Sequence, residues 1–342
     1  SNELFKKGIA LTPVKFGISF TATWYNQSGA LVHIYTDGSI YLNHGGTEMG
    51  QGLNTKVAAI LANEFDVPFA KIKISSTDTS KVPNTSATAA SAGSDLNGMA
   101  VLNAANILKG RLAQLICSNF DVDKKSIFYK KGFVHFGNKK LTFEHLIKLA
   151  YEQRVQLSAT GFYKTPKIHW DRKKGAGRPF YYFSYGAAVS EVTIDSLTGE
   201  SRVDRVDILH DVGSSLNPEI DLGQIEGGFI QGMGWLTTEE LWWNEKGVLK
   251  THAPSTYKIP LASDRPRKFT VKLAEWSKNK ERTIKRSKAV GEPPFMLAIS
   301  VHEALGMAIS GCCVGKYRPR LNSPATPERL LTNVIKVRNE VN

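Results

Sequence analysis

The first part of the chain alternates apolar and polar positions, a pattern that predicts β-strands. Residues 14–25 are rich in aromatic and β-branched side chains, and residues 30–36 alternate apolar with polar side chains. Asp37-Gly38 follows directly, and an Asp-Gly pair between two such runs indicates a hairpin with a type I′ turn, in which both central residues have positive φ. We therefore expect paired strands over residues 14–44.

Longer stretches carry apolar residues three and four positions apart, the spacing of an amphipathic helix. We predict helices over residues 53–65, 96–120, 219–241 and 297–309, and a last helix from Pro327. The glycines within 219–241 would weaken an isolated helix by about 1 kcal/mol each, so we expect a backbone or a ligand to pack closely against them. Because helices and strands mix without βαβ regularity, the sequence predicts an α+β fold of mixed sheets layered with helices.

The length of 342 residues allows two or three domains. Residues 121–179 form a smaller excursion with a predicted hairpin, a helix and an exposed polar loop at 169–179. Strands resume after this excursion. We therefore predict two subdomains, one built from residues 1–120 and 180–342 and the other from the excursion.

The chain is basic, with 44 Lys and Arg against 31 Asp and Glu and a formal net charge of +13. The basic residues occur as scattered pairs and triplets with acidic residues between many of them, and no helix-turn-helix, zinc-finger or RNP-type motif is present. This distribution favours a solvated basic surface, or a basic rim that attracts an anionic ligand, over nucleic-acid binding.

Composition also indicates where in the cell the protein is located. No uncharged apolar run reaches the roughly 18 residues that a membrane helix needs, and the first residues lack the apolar core of a signal peptide. The three cysteines, Cys117, Cys312 and Cys313, are too few for a disulfide scaffold, and we interpret them as small buried side chains. We expect a cytoplasmic protein that does not enter a membrane.

Common catalytic signatures are missing from the sequence: there is no P-loop, no G-x-S-x-G, no H-E-x-x-H and no C-x-x-C. One unusual stretch, Met49–Gly52, places two glycines and an amide just before the predicted helix 53–65. The free N–H groups and the dipole of a helix start favour an anion there. A glycine-rich turn that merely caps the helix is the alternative.

Two further stretches stand out. The stretch Thr88–Ser91 has small side chains, which let a bulky ligand approach the backbone. Its hydroxyl groups can bind a phosphate or a pterin edge. The alternative is an ordinary Ser/Thr-rich loop with an N-cap. Glu292 precedes Pro293-Pro294, which predicts extended backbone at the entry to a helix. If Glu292 lies among apolar neighbours, its carboxylate is suited to act as a general base. The alternative is that Glu292 is a solvent-facing glutamate at a helix start.

Seven segments, in the same order along the chain, resemble the C-terminal half of the molybdenum-binding part of the xanthine dehydrogenase family. They are KFGISFT (15–21), HGGTEMGQG (44–52), VPNTSATAAS (82–91), DVGSSLNP (211–218), GQIEGGFIQG (223–232), STYKIP (255–260) and SKAVGEPP (287–294). The sequences at 89–91 and 291–294 resemble xanthine dehydrogenases more than aldehyde oxidases. The chain is especially similar to the bacterial type, whose molybdenum part is a separate subunit.

The resemblance implies a molybdopterin-binding fold and the oxidation of hypoxanthine and xanthine to urate. Glu292 matches the base that deprotonates a molybdenum-bound hydroxyl, whose oxygen then attacks C8 of the purine while hydride passes to the Mo=S sulfur. Phe20 matches an aromatic that packs against the purine, and Thr21 matches its hydrogen-bonding neighbour. Ala89 and Ala90 match small residues beside the substrate, with the backbone of Ala90 beside the metal.

The resemblance also implies a cofactor site and partners. The positions that match molybdopterin contacts are Met49, Gly50, Gln51, Thr88, Ser91 and Gln224. The implied assembly includes the N-terminal half of the molybdenum subunit and a subunit with FAD and [2Fe-2S] clusters, and it is a heterotetramer that uses NAD.

One departure from the family pattern matters: the GGGFGGK-like and FRGFGG-like segments are absent from this sequence. Because they normally precede the region that matches here, we expect a C-terminal fragment that carries half of the site and is inactive alone. Two alternatives stay open. One is a molybdenum hydroxylase for an aldehyde or another N-heterocycle, and the other is a basic nucleic-acid-binding module.

Overall fold

The computed structural model describes residues 4–82, 84–313 and 319–341, and within them it contains thirteen strands and seven α-helices. The strands are β1 Phe5–Ile18, β2 Gln27–Ile34, β3 Ile40–His44, β4 Ile72–Ile74, β5 Phe128–Lys130, β6 Phe133–Phe136, β7 Lys139–Thr142, β8 Ser158–Lys164, β9 His169–Asp171, β10 Ala176–Arg178, β11 Tyr182–Asp195, β12 Ser201–His210 and β13 Lys268–Leu273. The helices are α1 Leu53–Phe65, α2 Gly93–Phe120, α3 Phe143–Glu152, α4 Pro218–Thr237, α5 Pro293–Leu297, α6 Ile299–Ser310 and α7 Pro327–Val341. This mixture confirms the predicted α+β class.

The chain divides into two compact units. Unit I holds the described residues of Ser1–Phe16, Phe183–Lys278 and Val290–Asn342, and unit II holds Gly17–Tyr182 and Asn279–Ala289. This division differs from the predicted one, because residues 121–179 do not separate from residues 17–120. Strand β8 pairs with β2, and α3 contributes to the same hydrophobic core as α1 and α2.

Unit I is built on a four-stranded sheet in the order β1-β11-β12-β13. Strands β11 and β12 are antiparallel, whereas β12 and β13 are parallel. Helices α4 and α6 cover an apolar core to which Ile208, Phe229 and Leu305 contribute. Residues 14–25 were predicted to belong to the paired strands of 14–44; instead, β1 starts at Phe5, ends at Ile18 and lies beside β11 in this sheet.

Unit II is built on a second sheet in the order β4-β3-β2-β8, with α1 and α2 packed against it. Helix α2 lies very close to β8, because a Cβ atom at Gly161 would come within 2.0 Å of the Ala100 carbonyl oxygen. The meander β5-β6-β7 and helix α3 complete the unit. The helices predicted over 53–65 and 96–120 are confirmed as α1 and α2.

Two local predictions need correction. The hairpin β2–β3 forms, but Gly38 is the residue with positive φ (+77°) and Asp37 is not, so the turn is not type I′. Instead the N–H of Gly38 donates to the carbonyl of Tyr35, and glycine closes a longer turn. The polar segment 169–179, predicted as a loop, contains the antiparallel pair β9–β10.

In the part of the chain that the structure describes, none of the helices combines the length and the apolar character needed to cross a bilayer.

Candidate functional site

A strained turn immediately precedes helix α2. Ala90 (φ +53°) and Ser91 (φ +54°) are consecutive non-glycine residues in the left-handed region, and the N–H of Ala92 donates to the Ala89 carbonyl at 3.4 Å. Left-handed backbone costs about 1–2 kcal/mol per residue with a Cβ, so this turn stores strain that glycine would relieve. Strain of this kind concentrates at ligand sites. Alanine keeps the turn nearly as open as glycine would.

The turn lies beside the glycine-rich loop that precedes α1. The N–H of Thr47 donates to Oγ1 of Thr88 at 2.8 Å, and a Cβ atom at Gly45 would come within 2.1 Å of the Thr85 side chain. The two loops therefore run side by side at the N-terminal ends of α1 and α2. This arrangement brings together seven of the predicted residues: Met49, Gly50, Gln51, Thr88, Ala89, Ala90 and Ser91.

The amide groups at the start of α1 already bind an anion, the carboxylate of Glu48. Its Oε1 accepts from the N–H groups of Gly50 (2.9 Å) and Gly52 (3.0 Å), and its Oε2 accepts from that of Asn54 (2.8 Å). Burial alone would raise the pKa of Glu48, but these N–H donors outweigh that effect and hold the pKa below its usual value. The anion site predicted at this helix start is thus filled by the chain itself. An acidic residue just before a helix was the signal that sequence analysis missed.

The side chain of Gln51 also serves the loop. Its Nε2 donates to the Thr47 carbonyl at 2.8 Å, and its Oε1 accepts from the N–H of Met49. The Met49 side chain is 68% exposed. Gln51 therefore shapes the loop, Met49 presents its thioether at the surface, and cofactor contacts by either residue stay predictions.

Beneath the loop lies His44, which sequence analysis did not single out. Its Nδ1 accepts from the N–H of Gly46 at 3.1 Å, so the ring proton sits on Nε2 and faces Oδ1 of Asn54 at 2.9 Å. Burial lowers the pKa of His44, although Asn54, Asn97 and Glu48 oppose this effect. The neutral ring thus ties the end of β3 to the first turn of α1 and fixes the path of the loop.

Phe20 and Thr21 lie on a different loop of unit II, after β1. The buried side chain of Asn26 holds this loop, since its Oδ1 accepts from the N–H of Phe20 (2.8 Å) and its Nδ2 donates to the Phe20 carbonyl (2.9 Å). The Phe20 ring meets Tyr25 edge to face at 5.6 Å and is half-buried, while Thr21 is exposed.

The remaining predicted residues, Gln224 and Glu292, belong to unit I. Gln224 lies on α4, one turn before Gly228, where a Cβ atom would come within 3.1 Å of Pro294 and 3.6 Å of the Gly291 carbonyl oxygen. The glycines of α4 therefore allow the close approach that the sequence predicted for them. This contact places the segment around Glu292 against the same helix as Gln224.

The backbone of Glu292 is helical (φ −84°, ψ −35°) rather than extended as predicted. It is the N-cap of α5, with Pro293 at the first helical position, and its carbonyl accepts from the N–H of Phe295 at 3.0 Å. This hydrogen bond and the helix that follows override the usual preference before proline. The residue is partly buried.

Within residues 4–82, 84–313 and 319–341, no three His, Cys, Asp or Glu side chains gather in a way that could hold a metal ion. The loops at 44–52 and 84–92 do fit a bulky organic ligand that forms hydrogen bonds. They combine hydroxyl groups with small side chains, and their backbone conformation is one that larger or β-branched residues resist.

The most similar sequences include xanthine dehydrogenases. This chain is 49% identical over 331 residues to a xanthine dehydrogenase/oxidase of Felis catus, covering 95% of this chain and 23% of that protein. It is 47% identical over 341 residues to a xanthine dehydrogenase of Oryza sativa subsp. japonica, covering 96% and 23%. The chain spans about a quarter of the length of these curated relatives. Both are eukaryotic, and they lend no support to the expected bacterial type.

Solved structures share the fold at low identity. Quinoline 2-oxidoreductase from Pseudomonas putida 86 superposes with a TM-score of 0.84 at 22% identity, covering 97% of this chain and 42% of that one. The Cu,Mo-CO dehydrogenase gives a TM-score of 0.83 at 20% identity, covering 97% and 41%. The profile of the molybdopterin cofactor-binding domain matches residues 1–266. This chain therefore belongs to the molybdopterin cofactor-binding domain family.

Proposed function

We propose that this chain is the C-terminal part of the molybdenum-cofactor region of a purine hydroxylase of the xanthine dehydrogenase type, with Glu292 as its general base. The observation that carries the proposal is the left-handed Ala90-Ser91 turn beside the glycine-rich loop. It is a strained, small-residue platform in a chain nearly half identical to xanthine dehydrogenases.

Six residues would hold the cofactor: Met49, Gly50, Gln51, Thr88, Ser91 and Gln224. When bound, the molybdenum cofactor supplies the capacity to take two electrons from the substrate. The methyl groups of Ala89 and Ala90 would leave room for a flat heterocycle, and Phe20 would offer an aromatic ring to it.

Glu292 would move the proton. The overall reaction replaces a C–H bond of the purine with a C–O bond to oxygen from water and releases two electrons and two protons. A carboxylate is a suitable base for one of those protons, which Glu292 would take onto a side-chain oxygen. The N-cap position before α5 would fix the backbone from which that side chain extends.

The remaining parts of the enzyme lie outside this chain in the proposal. The two electrons would pass to [2Fe-2S] clusters and FAD on a partner and then to NAD, within a heterotetramer that also includes the N-terminal half of the molybdenum subunit. We propose a cytoplasmic location, which is consistent with Cys117, Cys312 and Cys313 being free thiols.

The test compares Glu292→Gln with Glu226→Gln, an exposed glutamate of the same unit, in the cofactor-loaded full-length enzyme. We expect Glu292→Gln to lower kcat for urate formation by at least a factor of about 100 at unchanged molybdenum content, and Glu226→Gln to lower it less than twofold. The 342-residue chain alone should form no urate. Retention of more than a tenth of normal kcat by Glu292→Gln would remove this residue from the mechanism.

A further inference from the structure

A buried hydroxyl in unit II links two distant parts of the chain. The Tyr182 side chain is 6% exposed, its Oη donates to Oδ2 of Asp95 at 2.6 Å, and it accepts from the N–H of Ala289 at 2.9 Å. The Tyr182 hydroxyl therefore bridges a side-chain carboxyl group and a backbone amide.

Both ends of this bridge lie close in sequence to candidate functional residues. Asp95 is in the first turn of α2, four residues after Ser91, and Ala289 is three residues before Glu292. Ala289 is also the last residue of unit II before the chain continues into unit I. The bridge thus joins the helix that follows the strained turn to the segment from which Glu292 extends.

The segment before Ala289 is itself rigid. The carbonyl of Ser287 accepts from Nδ2 of Asn279 (3.0 Å) and from Oγ1 of Thr283 (2.6 Å), and all three residues are buried. Ile284 is also buried and packs against Gly98 of α2, where a Cβ atom would lie 3.5 Å from its side chain. Residues 279–289 therefore form a closed loop on α2, and the Tyr182 hydroxyl fastens its last residue.

Asp95 is half-buried, and its carboxyl group faces the Tyr182 hydroxyl. Burial raises its pKa to about 7, although the Tyr182 hydroxyl and the charge of Lys56 act in the opposite direction. Lys56 is itself buried in α1, one turn after the loop that carries Gln51.

We infer that Asp95 and Tyr182 are positioning residues for Glu292: together they clamp Ala289 to the first turn of α2 and fix the point from which residues 290–292 leave. The inference rests on the proposed role of Glu292. Loss of the Tyr182 hydroxyl would leave the Ala289 N–H without its acceptor and would free the segment just before the base. Small displacements of a catalytic group lower turnover more than substrate binding.

The first test measures backbone amide exchange in the 342-residue chain by mass spectrometry. Tyr182→Phe deletes only the hydroxyl, and we expect exchange at Ala289 to become about tenfold faster, the effect of losing one hydrogen bond to a partly buried amide. The matched control is Tyr129→Phe, which removes another buried hydroxyl of unit II, one with no hydrogen-bond partner among the described residues. This control should leave exchange at Ala289 unchanged.

The second test measures steady-state kinetics of the cofactor-loaded full-length enzyme. Tyr182→Phe should lower kcat about tenfold at a KM within twofold of wild type, and Asp95→Asn, which keeps an acceptor oxygen, should retain most of the activity. In a Glu292→Gln background, Tyr182→Phe should change the residual rate less than twofold, because the residue acts through the base.

The inference is overturned if Tyr182→Phe leaves exchange at Ala289 unchanged, or if it leaves kcat unchanged in an active enzyme. An equal loss of activity in the Glu292→Gln background would assign Tyr182 a merely structural role and would also overturn it. Failure of the proposed function looks different. In that case the wild-type loaded enzyme would form no urate, while the exchange result on the chain would still stand.

Discussion

Replacing Asp95 with asparagine should change how the stability of this protein depends on pH. Asp95 has a pKa of about 7 in the folded chain, against 3.8 for an ordinary aspartate, because burial disfavours its charged form. A raised folded-state pKa means that the group's full contribution to stability is present below about pH 4 and is lost as the pH rises through 7. The difference of about 3 pH units corresponds to about 4 kcal/mol between acidic and alkaline solution.

Urea unfolding of the 342-residue chain at about pH 5 and about pH 8.5 measures this effect. Asparagine keeps the shape and the acceptor oxygen but carries no charge, so it does not suffer the penalty above pH 7. Between these two pH values, the free energy of unfolding of Asp95→Asn relative to wild type should rise by about 3 kcal/mol. The control is Asp171→Asn, an exposed aspartate of the same unit, whose effect should change by less than about 0.5 kcal/mol.

A relative change of less than about 1 kcal/mol for Asp95→Asn would refute the reasoning. It would mean that water or the charge of Lys56 stabilises the carboxylate well enough to offset the effect of burial on its pKa. A change of the opposite sign would mean that the folded chain favours the charged carboxylate. This result would contradict the effect of burial assigned to Asp95.

Three further predictions concern the loops and helices of the site. Ala90→Gly should raise the free energy of unfolding by about 1 kcal/mol because glycine tolerates φ near +53°, and a decrease in urea unfolding experiments would contradict the strain assigned to this turn. Glu48→Gln should destabilise the chain by about 1 kcal/mol at neutral pH, and this effect should shrink as the pH falls from 4.5 through the lower pKa of folded Glu48; an effect independent of pH would argue against the carboxylate cap. Gly232→Ala should lower the melting temperature because its Cβ atom would lie 2.5 Å from the Phe295 carbonyl oxygen, whereas Gly223→Ala in open space on the same helix should raise it; equal effects would mean that α4 and α5 are not in close contact.

Local patterns predicted much of this fold because they depend on neighbouring residues. The 3.6-residue spacing located α1 and α2, and the Asp-Gly pair located the β2–β3 hairpin. The partner of β1 could not be predicted in this way. It pairs with β11, more than 160 residues away in sequence, and an alternating pattern identifies a strand without naming its neighbour.

Local patterns likewise predicted some features of the candidate site and not others. Glycines and small residues indicated where a ligand could approach, and the structure joins those loops through Thr47 and Thr88. The pattern could not show that Glu48 turns back onto the amides of α1, because this depends on the path of the whole loop. The helical backbone of Glu292 was likewise decided by the helix that follows it and not by the proline beside it.

The division of the chain between the two units has a consequence for folding during translation. Unit II is almost contiguous, so its sheet and the helices α1 and α2 can assemble once about half of these 342 residues has emerged. Unit I needs its first strand, a central stretch and the last helices together, so β1 must wait for its covering layer until those helices have been synthesised. During that interval Ile9 and Leu11, which stay more than half exposed even in the finished fold, would be natural points for a chaperone to hold.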